Sequence, residues 1–286
     1  MLRYLIALGG NALEEENMSI VAKALCRLRS ENNEIVVTHG NGPQVGELYL
    51  KENKNLSLLT EETQKVIGNS IKRFIHKECR ECMISVIMTR VLVNRDDREF
   101  SEPSKPIGRF YNEEKLVPRG KMGFSVKKME KGYRLVVPSP EPLKILEVDK
   151  IIKTIKSGRI VIAAGGGGAP VAIKNRKHIR VNAVIDKDLT SALLAEKIAA
   201  DAFFILTDVE RAFINFGSAD ARPIFKMDVK RARNYMNRGY FGKGSMLPKV
   251  KACAEFAERR GMKAAIGNIN NIEKVLSFRS CTIVTP

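Results

Sequence analysis

Short apolar runs alternate along the chain with longer segments whose apolar positions recur at helical spacing. Leu2–Leu8, Glu34–Thr38 and Met83–Val91 are predicted as strands, and Ser19–Leu28 and Glu61–Lys77 as helices. The same alternation returns in the second half of the chain. The elements predicted there are, in order, a helix over Ile145–Ile155, a strand in GRIVIAAGGGG, a helix after VIDKD, a strand in ADAFFILTDVE, helices near Val229–Asn237 and after GSMLPKV, and the closing elements KAAIG, Ile272–Phe278 and CTIVTP. This order predicts an α/β fold, a three-layer αβα sandwich with a mainly parallel central sheet.

The middle of the chain breaks this pattern. Residues 94–142 are rich in proline, glycine and charge, and their helical periodicity is lost. The stretches FSV and YRLVV within them still resemble short strands. We therefore predict a small subdomain that protrudes from the sheet over about residues 94–142.

Composition narrows the class of protein. The chain has 286 residues, of which 44% are hydrophobic, and no apolar run is long enough to span a bilayer. The opening MLRYLIALGGNAL is interpreted as a first strand rather than a signal peptide, so a cytoplasmic protein without membrane association is expected. The net charge is +17, but the basic residues are scattered among acidic ones and no nucleic-acid-binding motif accompanies them. Charge alone therefore does not indicate a nucleic-acid partner.

The five cysteines are an odd number and widely spaced, so no disulfide framework is predicted. His76, Cys79 and Cys82 form an H-x-x-C-x-x-C run that could indicate a zinc or redox site. A zinc site needs further ligands, and His39 and His178 lie in unrelated contexts. The interpretation favoured is a helix end followed by a strand, with no metal ligands.

Three predicted strands end in glycines, in GGN at Gly9, in GNG at Gly40 and in the run Gly165–Gly168. Ligands of parallel sheets bind beyond the carboxyl ends of the strands, where glycine lets backbone N–H groups approach an anion. Glycine also ends strands for steric reasons, but three such turns favour an anion site. Neither a Walker A loop nor a G-x-G-x-x-G fingerprint is present.

Two lysines stand where a helix dipole disfavours them. Lys187 lies between Asp186 and Asp188 at the start of one predicted helix. Lys249 lies in the first turn of another, after Ser245 as N-cap and Pro248. A cation at a helix N-terminus costs a few tenths of a kcal/mol, roughly, and a solvated surface lysine could tolerate this. With the three glycine turns, the pair predicts two cations directed at one transferred phosphoryl group.

The motifs that carry a family resemblance occur in one order along the whole chain. They are ALGGNAL, VVTHGNGPQVG, EPSKPIGRFY, YRLVVPSPEP, IAAGGGGAPV, AVIDKDL, FFILTDVE and GSMLPKV. The chain is similar in these to carbamate kinases of the amino acid kinase superfamily. The resemblance implies reversible phosphoryl transfer between ATP and carbamate, giving carbamoyl phosphate and ADP, with Mg²⁺ as cofactor and a homodimer as the assembly. It also implies an acceptor-site lobe over about residues 1–157 and a nucleotide-site lobe over about 158–286.

The resemblance assigns roles to individual residues. Lys187 and Lys249 would neutralise charge on the phosphoryl group, Asp188 would orient both lysines, and Lys105 would cover the substrate like a lid. The acceptor site would be lined by Gly9, Gly10, Asn11, Gly40, Asn41, Gly42, Gly166 and Gly167. The nucleotide site would be bordered by Thr207, Asp208, Val209, Gly244, Met246, Pro248 and Lys249.

Some residues depart from the family pattern while the lysines and Asp188 are kept. The departures are Lys65, Asn69, Asn182, Arg238, Tyr240 and Leu247. An active enzyme is still expected, and two alternatives stay open. One is a kinase of another small carboxylate or of phosphate, and the other is a non-catalytic protein whose basic surface binds nucleic acid.

Overall fold

Eight strands form the central sheet of the computed structural model. The structure describes residues 1–118, 123–129, 131–242 and 244–286, with the backbone alone for Asn11 and Ala12. The strands, in chain order, are β1 (Arg3–Leu8), β2 (Glu34–His39), β3 (Ile84–Val86), β4 (Arg90–Val93), β5 (Lys105–Tyr111), β6 (Val126–Met129), β7 (Gly132–Val137), β8 (Pro142–Ile145), β9 (Ile160–Ile162), β10 (Ala169–Lys174), β11 (Lys177–Arg180), β12 (Ala202–Thr207), β13 (Phe213–Ile214), β14 (Arg222–Pro223), β15 (Lys226–Asp228), β16 (Lys263–Asn268) and β17 (Cys281–Thr285). The central sheet has the order β15-β17-β16-β12-β1-β2-β9-β3, and only β16 and β17 pair antiparallel.

Helices cover both faces of this sheet. They are α1 (Glu15–Ser30), α2 (Gly42–Glu52), α3 (Leu56–Glu78), α4 (Val148–Lys156), α5 (Lys187–Lys197), α6 (Val229–Asn237), α7 (Met246–Arg260) and α8 (Ile272–Leu276). Side chains alternate along the strands, so that Leu5 and Ala7 join one core while Ile6 and Leu8 join the other. The first core includes residues of α4, α5, α6 and α7, and the second includes residues of α1, α3 and α8. The predicted three-layer fold with a mainly parallel sheet is confirmed.

Two predicted elements differ from the structure. The segment predicted as one strand over Met83–Val91 is divided between β3 in the central sheet and β4 in a four-stranded sheet of order β11-β10-β4-β8. The chain turns between β3 and β4 because the buried side-chain amide of Gln64 holds Thr89. This amide accepts the N–H of Thr89 at 2.9 Å and donates to the Thr89 carbonyl at 3.0 Å. The helix predicted over Ile145–Ile155 begins only at Val148, since Ile145 ends β8 and pairs with Val91.

Further elements were not predicted at all. Helix α2 follows the GNG turn directly, and β10 and β11 form a hairpin after the glycine run. Val45, Leu48 and Tyr49 recur at helical spacing in α2, so this helix has a periodic signal in the sequence that the prediction missed.

Residues 94–142 contain an antiparallel sheet of their own, with the order β5-β7-β6. Its apolar face packs with Val45 and Tyr49 of α2. Helix α2 and β5 approach so closely that a methyl group on Gly46 would overlap the backbone of Gly108, whose own φ is +71°. This pair of glycines sets where the first residue of β5, Lys105, meets the rest of the molecule.

The cysteines correct one prediction. Cys79 and Cys82 form a disulfide, although no disulfide was predicted from the sequence. The helix end and following strand were predicted correctly, since α3 ends at Glu78 and β3 begins at Ile84. Among the described residues, no helix has the length and apolarity needed to cross a membrane.

Candidate active site

The carboxyl ends of four neighbouring parallel strands, β12, β1, β2 and β9, lie at one edge of the central sheet. At β1 and β2, the residue that follows the strand continues the hydrogen-bonding pattern of the sheet. Gly9 donates its N–H to the carbonyl of Leu206 at 2.8 Å, and Gly40 donates to Leu8 at 3.1 Å. The first two glycine turns are therefore adjacent in space, as the sequence predicts.

Helix α5 begins at this edge with a side-chain cap. Asp186 is its N-cap, and one carboxylate oxygen accepts the N–H groups of Asp188 and Leu189 at 2.8 and 3.4 Å. Thr190 donates its hydroxyl to the carbonyl of Gly167 at 2.9 Å, and Ser191 lies 2.7 Å from the hydroxyl of Thr38. These bonds connect the first turn of α5 to β2 and to the third glycine turn.

The two lysines predicted to act together share one carboxylate. The ammonium of Lys187 contacts Oδ1 of Asp188, while Nζ of Lys249 lies 2.8 Å from Oδ2. Lys187 comes from the first residue of α5 and Lys249 from the first turns of α7, so the adjacent helices bring them together. Ser245 occupies the N-cap position of α7 but makes no capping bond. The ion pairs offset the unfavourable placement of both cations at helix starts.

A third lysine enters from the separate sheet of residues 94–142. Lys105, at the start of β5, pairs with the second carboxylate oxygen of Asp186. Burial alone would raise the pKa of Asp186, but the Lys105 ammonium lowers it below its usual range. From the sequence, Asp186 is predicted only as a residue at the opening of the helix. Aspartate is common at N-cap positions, so the sequence gives no separate signal for the ion pair of Asp186 with Lys105.

Burial and ion pairing act in opposite directions on the ionisable groups of the α5 start. Burial would raise the pKa of Asp188, but the ammonium groups of Lys187 and Lys249 hold that pKa well below its usual range. The pKa of Lys187 is lowered, because burial and the nearby Lys249 ammonium outweigh the attraction of Asp188. The pKa of Lys249 is raised, because the carboxylates of Asp188 and Asp186 outweigh burial. Three ammonium groups against two carboxylates leave this region with an excess of positive charge suited to an anionic ligand.

The predicted acceptor residues differ in what surrounds them near these lysines. The aliphatic stem of Lys187 would lie 3.6 Å from a methyl group on Gly40, an ordinary van der Waals contact, so Gly40 lies directly beside this lysine. Gly10 and Gly42 face open space, and Gly42 begins α2 with its backbone N–H in the first turn. Asn41 is buried and donates its amide to the hydroxyl of Thr63 at 2.9 Å. The backbone of Asn11 lies in a 3₁₀ turn, and its side chain lies outside the described residues.

The third glycine turn has a steric explanation of its own. A methyl group would overlap the His39 ring at Gly165, the Asn41 amide at Gly166 and the Ile185 carbonyl at Gly167. The N–H of Gly167 is donated to the carbonyl of Ala164 at 3.1 Å. Close packing therefore accounts for glycine at these positions, and the predicted acceptor role of Gly166 and Gly167 stays a prediction.

The predicted nucleotide residues lie on two segments. Thr207 ends β12, and its hydroxyl donates to Asp208 at 3.0 Å, while Asn268 at the end of β16 donates to the Asp208 carbonyl at 2.8 Å. Asp208 is near enough to Lys249 to contribute to raising its pKa. The remaining predicted positions are Val209, which follows Asp208, Gly244, which precedes α7, and Met246 and Pro248, which lie in the first turn of α7 just before Lys249.

His39 is buried beside Lys187, and burial lowers its pKa to about 4 despite the Gly40 carbonyl 3.0 Å from Nδ1. The unfolded chain binds a proton at His39 below about pH 6.5, whereas the folded chain does not until about pH 4. The contribution of His39 to stability is therefore complete above about pH 6.5 and decreases as the pH falls, by about 2 kcal/mol at about pH 5.

Urea denaturation of wild type and of His39→Gln at about pH 7.5 and about pH 5 measures this decrease, which we expect the variant to lack. The exposed His178 supplies a matched control, His178→Gln, that should behave as wild type. Equal decreases in wild type and in His39→Gln would contradict a buried neutral histidine.

The residues that depart from the family pattern contact neighbouring elements or lie on the exposed side of a helix. The Asn182 side chain accepts the N–H of Leu56 at 2.9 Å, at the start of α3. Lys65 and Asn69 are on the exposed side of α3, and Tyr240 packs edge-on against a neighbouring tyrosine. Arg238 is the C-cap of α6, and Leu247 packs against the core from α7.

The fold is that of a class of α/β kinases. A family model for the amino acid kinase family matches residues 3–268. The chain is 39% identical over 305 aligned positions to a carbamate kinase of Thermoplasma volcanium, with all of both chains covered. It is 38% identical to a carbamate kinase of Thermococcus kodakarensis, with 99% of each covered.

A solved structure supports the same placement. The carbamate kinase of Giardia lamblia bound to AMP-PNP has 31% sequence identity and superimposes with a TM-score of 0.87, over 99% of this chain and 98% of that one. The chain therefore belongs to the carbamate kinases, within the amino acid kinase family.

Proposed function

We propose that this protein transfers a phosphoryl group reversibly between ATP and carbamate, giving carbamoyl phosphate and ADP. The observation that supports this most directly is the convergence of Lys187 and Lys249 on Asp188 at the carboxyl edge of the sheet. Lys105 reaches the same helix start through Asp186. Two adjacent cationic side chains, held by one carboxylate, suit a group whose charge is spread over several oxygens during transfer.

The proposed arrangement has two sides. The phosphoryl acceptor would lie over the first two glycine turns, where Gly10 and Gly42 leave open space beside Lys187. The nucleotide would lie against Thr207, Asp208 and the segment that leads into α7. The lobes that we propose, residues 1–157 and 158–286, would then carry one substrate each, with Lys187 and Lys249 between them.

The proposed chemistry needs few groups from the protein. A carbamate oxygen attacks the γ-phosphorus of ATP, and the bond from that phosphorus to the oxygen it shares with ADP breaks. Carbamate is already an anion, so no side chain has to remove a proton. Catalysis then consists of alignment and charge neutralisation. Asp188 acts as a positioning residue for both lysines, and we propose that Lys105 closes over the acceptor from the sheet of residues 94–142.

Mg²⁺ would enter with the nucleotide. The buried carboxylates of Asp186 and Asp188 are already paired with lysines, so these residues fit a metal ion carried by phosphates rather than a protein cage. Asp208, exposed at the end of β12, is the carboxylate free of a lysine ion pair in the described part of the site that could reach such an ion or its water. The ion would supply charge neutralisation between the β- and γ-phosphates.

The assembly and compartment are also proposed rather than observed. The carbamate kinase resemblance favours a homodimer, and an enzyme that uses and forms ATP fits the cytoplasm. Size-exclusion chromatography with light scattering measures the first of these directly.

The test of the function is ATP formation by wild type from ADP, Mg²⁺ and carbamoyl phosphate. Acetyl phosphate serves as a matched alternative donor with the same acyl-phosphate bond, and calorimetry reports ADP binding independently. We expect ATP from carbamoyl phosphate with much higher kcat/KM than from acetyl phosphate. A folded protein that binds ADP but makes no ATP from carbamoyl phosphate acts on another acceptor, and one that binds no ADP is not a kinase of this class.

A further inference from the structure

Three cysteines from two helices and a following turn come together far from the lysines. Cys26 lies on α1, Cys79 directly follows α3, and Cys82 precedes β3. Their sulfur atoms all lie within 4.8 Å of one another. The thiol of Cys26 faces the end of α3, where it donates to the carbonyl of Ile75 at 3.7 Å. The sequence shows only the Cys79–Cys82 pair, and the packing of α1 against α3 supplies the third sulfur.

The position of this cluster separates it from the candidate active site. Cys82 lies at the amino end of β3, and Gly158, beside it, lies just before β9. The lysines lie beyond the carboxyl ends of the parallel strands, so the cluster is at the opposite edge of the sheet. It also opens into a cavity of about 470 Å³ that Glu78 and Glu81 help to line. All three cysteines line this cavity, Cys79 from a buried position.

We propose that the three thiols, once the Cys79–Cys82 bond is reduced, form a second site that binds one Zn²⁺ ion. Zn²⁺ takes thiolates at about 2.3 Å in tetrahedral geometry, which places the sulfurs about 3.8 Å apart. The cavity leaves a fourth position for water or for a carboxylate of Glu78 or Glu81.

Zn²⁺ binding at this site takes two steps, reduction of the disulfide and then coordination of the metal ion. A dithiol reductant passes two electrons and two protons to the Cys79–Cys82 disulfide and itself becomes a disulfide, leaving three thiols in the cluster. Zn²⁺ then replaces the three thiol protons, forming three Zn–S bonds. In a compartment whose thiol pool keeps cysteines reduced, the dithiol form is the one available to the metal. Oxidation back to the disulfide removes two of the three ligands, so the site is controlled by redox state.

Metal binding by the full chain tests the proposal without reference to kinase activity. Reduced and oxidised wild type are titrated with Zn²⁺ against a chromophoric chelator, and with Co²⁺ to follow the thiolate-to-cobalt charge-transfer band. We expect one Zn²⁺ per reduced chain, none per oxidised chain, and a thiolate charge-transfer band with Co²⁺. Bound Zn²⁺ should also raise the midpoint of thermal unfolding of the reduced chain.

Two variants separate the cluster from ordinary thiol binding. In Cys26→Ser we expect Zn²⁺ affinity to fall by at least about 100-fold, beyond the loss that even outer partners of ligands produce. Cys281→Ser removes another free cysteine, buried at the start of β17 away from the cluster, and should bind as wild type does. No Zn²⁺ on the reduced wild type, or equal affinity in Cys26→Ser, would overturn the three-thiolate site. Both results leave the proposed kinase function untouched.

Discussion

Replacing Lys187 or Lys249 with alanine is expected to lower kcat for ATP formation from ADP and carbamoyl phosphate by about two to three orders of magnitude. This is the loss found when one preorganised donor to a transition state is removed. Both ammonium groups are nearly buried and share Asp188, so water cannot take the place of either one at low cost. The two variants should differ in binding, since we propose that Lys249 acts from the nucleotide side and Lys187 from the acceptor side. Lys249→Ala should weaken ADP binding more than Lys187→Ala does.

Matched controls lie on the same helices. Lys197 ends α5 and Lys251 follows Lys249 on α7, both with more exposed side chains paired to glutamates. Lys197→Ala and Lys251→Ala should keep kcat within about threefold of wild type, as changes of exposed ion pairs do. Circular dichroism establishes that the variants are folded, and ADP calorimetry measures their nucleotide binding separately. If Lys187→Ala loses no more activity than Lys197→Ala, then Lys187 does not stabilise the transferred group.

The second large effect is expected for Asp188→Asn. The amide keeps the shape of the side chain but leaves two buried ammonium groups without their shared carboxylate. Breaking a buried ion pair by removing one partner costs about 3–5 kcal/mol of stability. The variant should therefore unfold at lower urea concentration and lose most of its activity, because Lys187 and Lys249 are no longer held in place.

A double variant distinguishes repulsion between the lysines from loss of a hydrogen bond. Asp188→Asn combined with Lys187→Met removes one of the two unpaired cations, so it should recover part of the stability lost in Asp188→Asn alone. The pH dependence offers a second measurement. The lysines hold the pKa of Asp188 low, so its contribution is present above about pH 3.9 and decreases as the pH falls through the folded-state pKa. A single Asp188→Asn variant as stable as wild type at neutral pH would mean that the ion pairs contribute no net stability.

The site could be predicted from the sequence to a large extent, because its main groups follow recognisable local signals. Lys187 and Lys249 were identified as cations at helix starts, where a dipole argument needs no knowledge of the tertiary fold. Gly9 and Gly40 were identified as strand ends, and the parallel sheet places them side by side. The roles of these residues remain proposals, but their meeting at one edge of the sheet was predicted correctly.

Other features could not be predicted, because they depend on contacts between distant segments. Asp186 reads as an ordinary N-cap until Lys105 reaches it from 81 residues earlier in the chain. The close packing of the glycine run Gly165–Gly168 against His39, Asn41 and Ile185 is evident only in the folded chain. The break between β3 and β4 is set by the Gln64 amide on α3, which no local pattern near Met83–Val91 reveals.

The layered arrangement of this protein follows from its local sequence pattern, since the apolar periodicity of strands and helices shows which faces are buried. The sequence also determined the places where cations stand against a helix dipole. The tertiary structure alone decided which carboxylate each lysine meets, and that Cys26 completes a cluster with Cys79 and Cys82. This difference arises because the spacing of apolar residues along a short segment shows which of its faces is buried. Which side chains of separate elements meet depends instead on how whole helices and sheets pack.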